Sequence, residues 1–155
     1  MSRVTSLPSF QATCRPVSID ALVTIASVNF DRVVEFYTQF LGSAPQPYIP
    51  QVYAEFSIAG LRLGIFCPKS SNQAEFAQPH QSGISLCLEV DSLEDSIDKL
   101  AQLGYPLTKK ITTASHGREI YAYDPDGNRL ILHQSLQPNL LVLSYSPNSH
   151  ATLRS

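Results

Sequence analysis

The sequence predicts an α+β fold in which one strand–helix–strands unit is used twice in a single chain. Two hairpins carry the first part of this reading. Residues 52–58 (VYAEFSI) and 61–66 (LRLGIF) alternate apolar and polar about Ala59-Gly60. Residues 120–123 and 129–133 do the same about Asp124-Pro125-Asp126-Gly127-Asn128. The second part is a recurrence. Asn29 and Ser92, and Leu41-Gly42 and Leu103-Gly104, stand about 62 residues apart, in matching places of the two halves.

Size and composition set the frame. A chain of 155 residues is one domain's worth and can bury a core. Its net charge of −2 gives no reason to expect nucleic acid or an anionic membrane surface as partner. No apolar run approaches the ~20 residues that a spanning helix needs. Cys14, Cys67 and Cys87 are odd in number and widely spaced, which argues for a reducing, cytoplasmic setting and against a disulfide framework. Residues 1–19 hold Arg3 and Arg15 and no acid, and they lack the apolar core of a secretory signal. They read as an N-terminal extension, with a short organelle-targeting segment as the alternative.

Residues 21–26 (ALVTIA) form the first strand candidate. Asn29 is placed to cap a helix over 31–41, whose Val33, Val34, Phe36, Tyr37, Phe40 and Leu41 fall at helical spacing. Gly42 ends it. Pro45, Pro47 and Pro50 then argue for a loop without regular structure. After the first hairpin, the polar stretch 68–82 is expected to cross between two halves, each too small to stand alone.

The second half opens on an alternating strand at 84–90 (ISLCLEV). Ser92 with Asp95 three residues on is a capping-box pattern. It starts a helix to about Leu103, with Leu93, Ile97, Leu100 and Leu103 on its buried stripe. A strand over 106–111 and a loop over 113–117 are expected before the second hairpin. In that hairpin Pro125 presets a turn, Asp124 can bond the backbone two residues on, and Gly127 accepts positive φ. The tail, 135–155, contains Leu140 to Leu143, a candidate edge strand or dimer contact.

Phe36-Tyr37 with Leu41-Gly42, Glu89-Val90-Asp91, and Asp124-Pro125-Asp126-Gly127-Asn128 together resemble the vicinal oxygen chelate superfamily, which includes glyoxalase I, extradiol dioxygenases and bleomycin-resistance proteins. The resemblance covers about 20–134. It implies two βαβββ modules, 20–67 and 83–134, whose sheets curl into an open cup with helices outside and a small-molecule ligand within. It also implies a homodimer, which is common in the family. Metal-dependent members hold a divalent ion with His, Gln or Glu. Those positions fall here at Leu22 (Val23 with a one-residue slip), Ser85 and Ile131, with Gly64 on the late strand of module one. None supplies the His or carboxylate donors that such an ion requires. The expectation is therefore a binding protein with no metal and no cofactor. A metal-dependent lyase, isomerase or dioxygenase is the alternative, with a shifted site drawn from Glu55, Glu89, Glu119 and His133.

Alternation then divides each strand. Leu22, Thr24, Arg62, Gly64, Phe66, Ser85, Cys87, Glu89, Arg129, Ile131 and His133 should face the cup, joined by Tyr53, Glu55, Ser57, Glu119, Tyr121 and Tyr123. Val23, Ile25, Leu61, Leu63, Ile65, Ile84, Leu86, Leu88, Leu130 and Leu132 should face the helices. The candidate ligand-binding set is Thr24, Tyr53, Glu55, Arg62, Phe66, Ser85, Glu119, Tyr121, Ile131 and His133; no catalytic residue is assigned. Arg62 can grip a carboxylate or phosphate through its planar fork, or pair with Glu55 across the hairpin. His133 can act in acid–base chemistry or sit at the rim. Cys87 reads as a small buried filler. His80 and His116 lie in loops, His116 within reach of the cup mouth.

Overall fold

A computed structural model describes residues 20–136. The N-terminal extension, Cys14 and the 140–143 segment lie outside the described residues. Within them the expected order holds. Module one is β1 (Val23–Ala26), α1 (Phe30–Leu41), β2 (Tyr48–Ile49), β3 (Tyr53–Ile58) and β4 (Leu61–Phe66). Module two is β5 (Leu86–Glu89), α2 (Leu93–Gln102), β6 (Thr112–Ala114), β7 (Gly117–Tyr123) and β8 (Arg129–Ser135). Each forms a four-stranded mixed sheet, with orders β1-β4-β3-β2 and β5-β8-β7-β6. In both, the first strand runs parallel to the last and the later strands pair antiparallel.

One apolar core serves both modules. Phe30, Val33, Phe36 and Tyr37 of α1 and Leu93 and Leu100 of α2 are buried with Ala54, Phe56, Leu63, Ile65, Ile120, Ala122, Leu130 and Leu132 from the helix-facing sides of the strands. Phe36 meets Tyr105, from the segment after α2, edge-to-face at 5.0 Å between centroids. Tyr37 reaches further, as its hydroxyl donates to Asp124 Oδ2 at 3.2 Å.

Several elements depart from expectation. The proline-rich loop contains β2, which lies between Pro47 and Pro50 and pairs Tyr48 with Ala54 and Ile49 with Tyr53. Proline removes a donor only at its own position, and two non-proline residues suffice for a short edge strand. The strand expected over 106–111 is absent. β6 stands instead at Thr112–Ala114, inside the expected loop, and Ser115-His116 turn directly into β7. The crossover holds two 3-10 segments, Ser70–Phe76 and Pro79–Gln81. Ile84 precedes β5 and is 71% exposed, so its expected packing against the helices fails.

The caps differ as well. Ser92 Oγ accepts from Asp95 N at 3.1 Å, as the capping box requires. Asn29 makes no side-chain cap. Its Nδ2 donates to Asp126 Oδ1 at 2.8 Å, across to the other module. In the turn that follows β7, Asp124 Oδ1 accepts from Asp126 N (3.0 Å) and Asn128 N (2.8 Å), and Gly127 takes φ 92°.

Candidate functional site

Register places the cup-facing residues on common faces, as alternation predicts. In module one Thr24 and Gly64 are ladder partners, as are Glu55 and Gly64, Ser57 and Arg62, and Tyr53 and Phe66. In module two the face is organised in rows across β5, β8 and β7, with Ser85 standing just before β5. Ser85, Arg129 and Tyr123 form the first, Cys87, Ile131 and Tyr121 the second, and Glu89, His133 and Glu119 the third.

On module one, Arg62 is held by acids. Its Nε donates to Glu55 Oε1 (2.6 Å), its Nη2 to Glu55 Oε2 (3.0 Å), and its Nη1 to Asp20 Oδ2 (2.5 Å). Tyr53 OH adds a fourth bond, to Glu55 Oε2 at 2.6 Å. The internal pairing is thus the correct alternative for Arg62, since the fork is spent on Glu55. The bonds from Arg62 and Tyr53 hold the Glu55 carboxyl at about 2, below its ordinary 4.5. Glu55, in turn, belongs to a closed polar cluster and has little left to offer a ligand.

Module two is more open. His133 Nδ1 is hydrogen-bonded to Glu89 Oε2 at 2.6 Å, and the His116 ring stacks on it with centroids 5.2 Å apart. His133 Nε2 is buried against Gly117 with no partner among the described residues. Burial pushes the Glu89 carboxyl up, but bonds from His133 and Ser135 outweigh it and leave the group below its ordinary value. Cys87 is exposed, which corrects its reading as a buried filler. Partial burial raises its thiol, and the Glu89 and Glu119 carboxylates add to this, so it is not activated as a nucleophile.

In the first row, Arg129 Nε donates to Ser85 Oγ at 2.5 Å. Lys109 Nζ donates to Tyr123 OH at 3.2 Å and lies 5.6 Å and 5.3 Å from the Tyr121 and Tyr123 ring centroids. Sequence reasoning put Arg129 and Tyr123 on this face but did not select them, and it missed Lys109 entirely. Lys109 sits in irregular chain, where no periodicity assigns a direction.

The donors at the family's metal positions decide whether an ion fits. Leu22 turns Cδ1 toward Gly64, at 3.2 Å from where a Cβ would stand, and offers no donor. Ile131 is aliphatic, between its ladder partners Cys87 and Tyr121. The Ser85 hydroxyl accepts from a guanidinium, a fixed cation where an ion would need an anion. These residues do not fit a divalent ion. The shifted set does not converge either: among the described residues, no three His, Cys, Asp or Glu are grouped to hold one.

The larger cavities lie away from these rows. One of about 490 Å³ is bounded by Ala26, Val28, Asn29, Phe76, Pro79 and Asp126, among others. A second, of about 370 Å³, is lined by Thr24, Ala26, Phe76 and Asn128 with the crossover. Phe76 meets Phe66 edge-to-face at 5.6 Å, so the crossover covers one end of the module-one face. Of the candidate set, only Thr24 lines either cavity. Size alone does not select a site. The rows of module two carry the more convergent chemistry.

The family model for the Glyoxalase/Bleomycin resistance protein/Dioxygenase superfamily matches residues 19–132, and the chain belongs to that superfamily. The chain is 26% identical over 113 residues to metallothiol transferase FosB from Shouchella clausii (strain KSM-K16), covering 72% of this chain and 76% of that protein. Its fold is like that of a glyoxalase/bleomycin resistance protein from Catenulispora acidiphila DSM 44928 (22% identity, 76% and 98% covered, TM-score 0.57). The fosfomycin resistance protein FosX from Listeria monocytogenes is similar (20% identity, 77% and 94% covered, TM-score 0.59).

Proposed function

We propose that residues 20–134 form one domain that binds a small organic molecule on its cup faces without a metal, in the manner of a bleomycin-resistance protein. One observation carries this reading: the Ser85 hydroxyl is bonded to the Arg129 guanidinium, while Leu22 and Ile131 supply no donor. Metal analysis of purified protein tests it, followed by a thermal-shift screen. The expected result is no stoichiometric divalent ion, and a melting temperature raised by a small ligand through mass action. One Ni, Zn, Fe or Mn per chain would overturn it.

A second reading is a metal-dependent lyase, isomerase or dioxygenase. The likeness to a protein named as a metallothiol transferase favours it. Such chemistry uses a Lewis-acid ion, and the donor set weighs against one here. Turnover of a hemithioacetal or a catechol, abolished by a chelator, would replace the first reading with this one.

The edges of β1 and β5, like those of β2 and β6, have no ladder partner among the described residues. Unpaired edges of this kind are commonly covered, and we assign them to a homodimer in which two copies share their cups. Light scattering at twice the chain mass is the expected result. Cysteine usage fits a cytoplasmic protein, and among the described residues no helix is long and apolar enough to cross a membrane.

A further inference from the structure

We infer that the first row of the module-two face is an anion site, and that the ligand it takes is an organic anion with a flat apolar body. The inference rests on the metal-independent reading above and names the ligand class for it. Among the described residues, Arg129 spends only Nε, on Ser85. Among the described residues it has no acidic partner, unlike Arg62, which is held by Glu55 and Asp20. Its two Nη atoms form the fork that matches a carboxylate or a phosphonate. Lys109 stands over the neighbouring Tyr123, the ladder partner of Arg129, and brings a second cation to the same row. Tyr121 and Tyr123 are 38% and 37% exposed, and they offer ring faces beside the two cations.

The rows give the site a direction. Successive same-face residues on a strand are about 7 Å apart. From row to row, the face passes from cations, through Cys87, Ile131 and Tyr121, to Glu89, His133 and Glu119. An anionic head is attracted to the first row and repelled by the third. The ring then lies over Ile131 and Tyr121.

Calorimetric titration with three probes tests this: phenylphosphonate, inorganic phosphate and benzyl alcohol. Phenylphosphonate is expected to bind best, because it alone has both charge and ring. Arg129→Gln is expected to weaken it by about tenfold or more, the scale of a lost charge-assisted hydrogen bond. Lys109→Gln, in exposed chain, is expected to weaken it in the same direction with the fold intact, so the test survives if Arg129→Gln unfolds. Lys99→Gln, on the exposed side of α2, should change nothing. Three results would overturn the inference: no phenylphosphonate binding at millimolar concentration, equal affinity for benzyl alcohol, or unchanged affinity in Lys109→Gln. Neutral ligands that stabilise the protein would then leave metal-free binding standing. A stoichiometric metal ion would remove that reading itself.

Discussion

Tyr37 and Asp124, 87 residues apart, meet through a buried hydrogen bond, hydroxyl to carboxylate, at 3.2 Å. Tyr37 comes from α1 of module one and Asp124 from the turn that precedes β8 of module two. Two of the three stretches that carried the family resemblance therefore touch. Burial and the adjacent Asp124 carboxylate push the Tyr37 hydroxyl well above its ordinary range, so it stays a donor at any working pH. Tyr37→Phe should destabilise the protein by about 1–3 kcal/mol, toward the lower end because Asp124 keeps its bonds from Asp126 and Asn128. Urea unfolding should show a lower midpoint at unchanged slope.

Glu55 makes stability depend on acid. Its folded value of about 2 lies below the ordinary 4.5, so the folded protein holds fewer protons than the unfolded chain between these values. The stabilisation is complete above about 4.5 and is lost as pH falls toward about 2. Unfolding free energy followed from pH 6 to pH 2 should fall through that window, and Glu55→Gln should flatten the slope there.

Gly117 admits the Nε2 edge of His133. A Cβ at position 117 would stand 2.5 Å from both the Gln134 carbonyl oxygen and His133 Nε2. The carbonyl is backbone in the β7–β8 ladder and cannot turn aside. Gly117→Ala should cost about 1–3 kcal/mol, the range for overpacking. It should also shift the His133 and His116 ring signals in NMR spectra, because the two rings stack.

The two helix starts should respond unequally. Ser92→Ala removes a real cap from α2 and should cost about 1 kcal/mol. Asn29→Ala removes only an exposed bond to Asp126 and should stay within about 0.5 kcal/mol. Thermal melts of the two variants check the order. An equal loss would mean that Asn29 caps α1 after all.

What the sequence reveals follows from parity and helical spacing. Alternation assigns Leu63, Ile65, Leu130 and Leu132 to the helix side, and all are fully buried. The cup-facing rows come from the same rule. Its failures fall at strand ends and in irregular chain. Ile84 has the right parity but precedes the strand, and it stays largely exposed. β2 and β6 are two and three residues long, too short to show a period. Arg62 and Arg129 read alike as cup-facing arginines. What separates them is the partner each finds, and Asp20 and Lys109 both lie outside regular strands, where pattern gives no direction.

β8 has one further consequence. It lies between β5 and β7, with Leu130 and Leu132 sealed among the helices and Arg129, Ile131 and His133 turned the other way. Deleting any one residue early in this strand would reverse that assignment and bring down core and recognition surface together. Point replacements at the odd positions carry no such penalty, because they leave the sealed side untouched. New specificities can therefore arise on this strand one side chain at a time, while its framework stays the same.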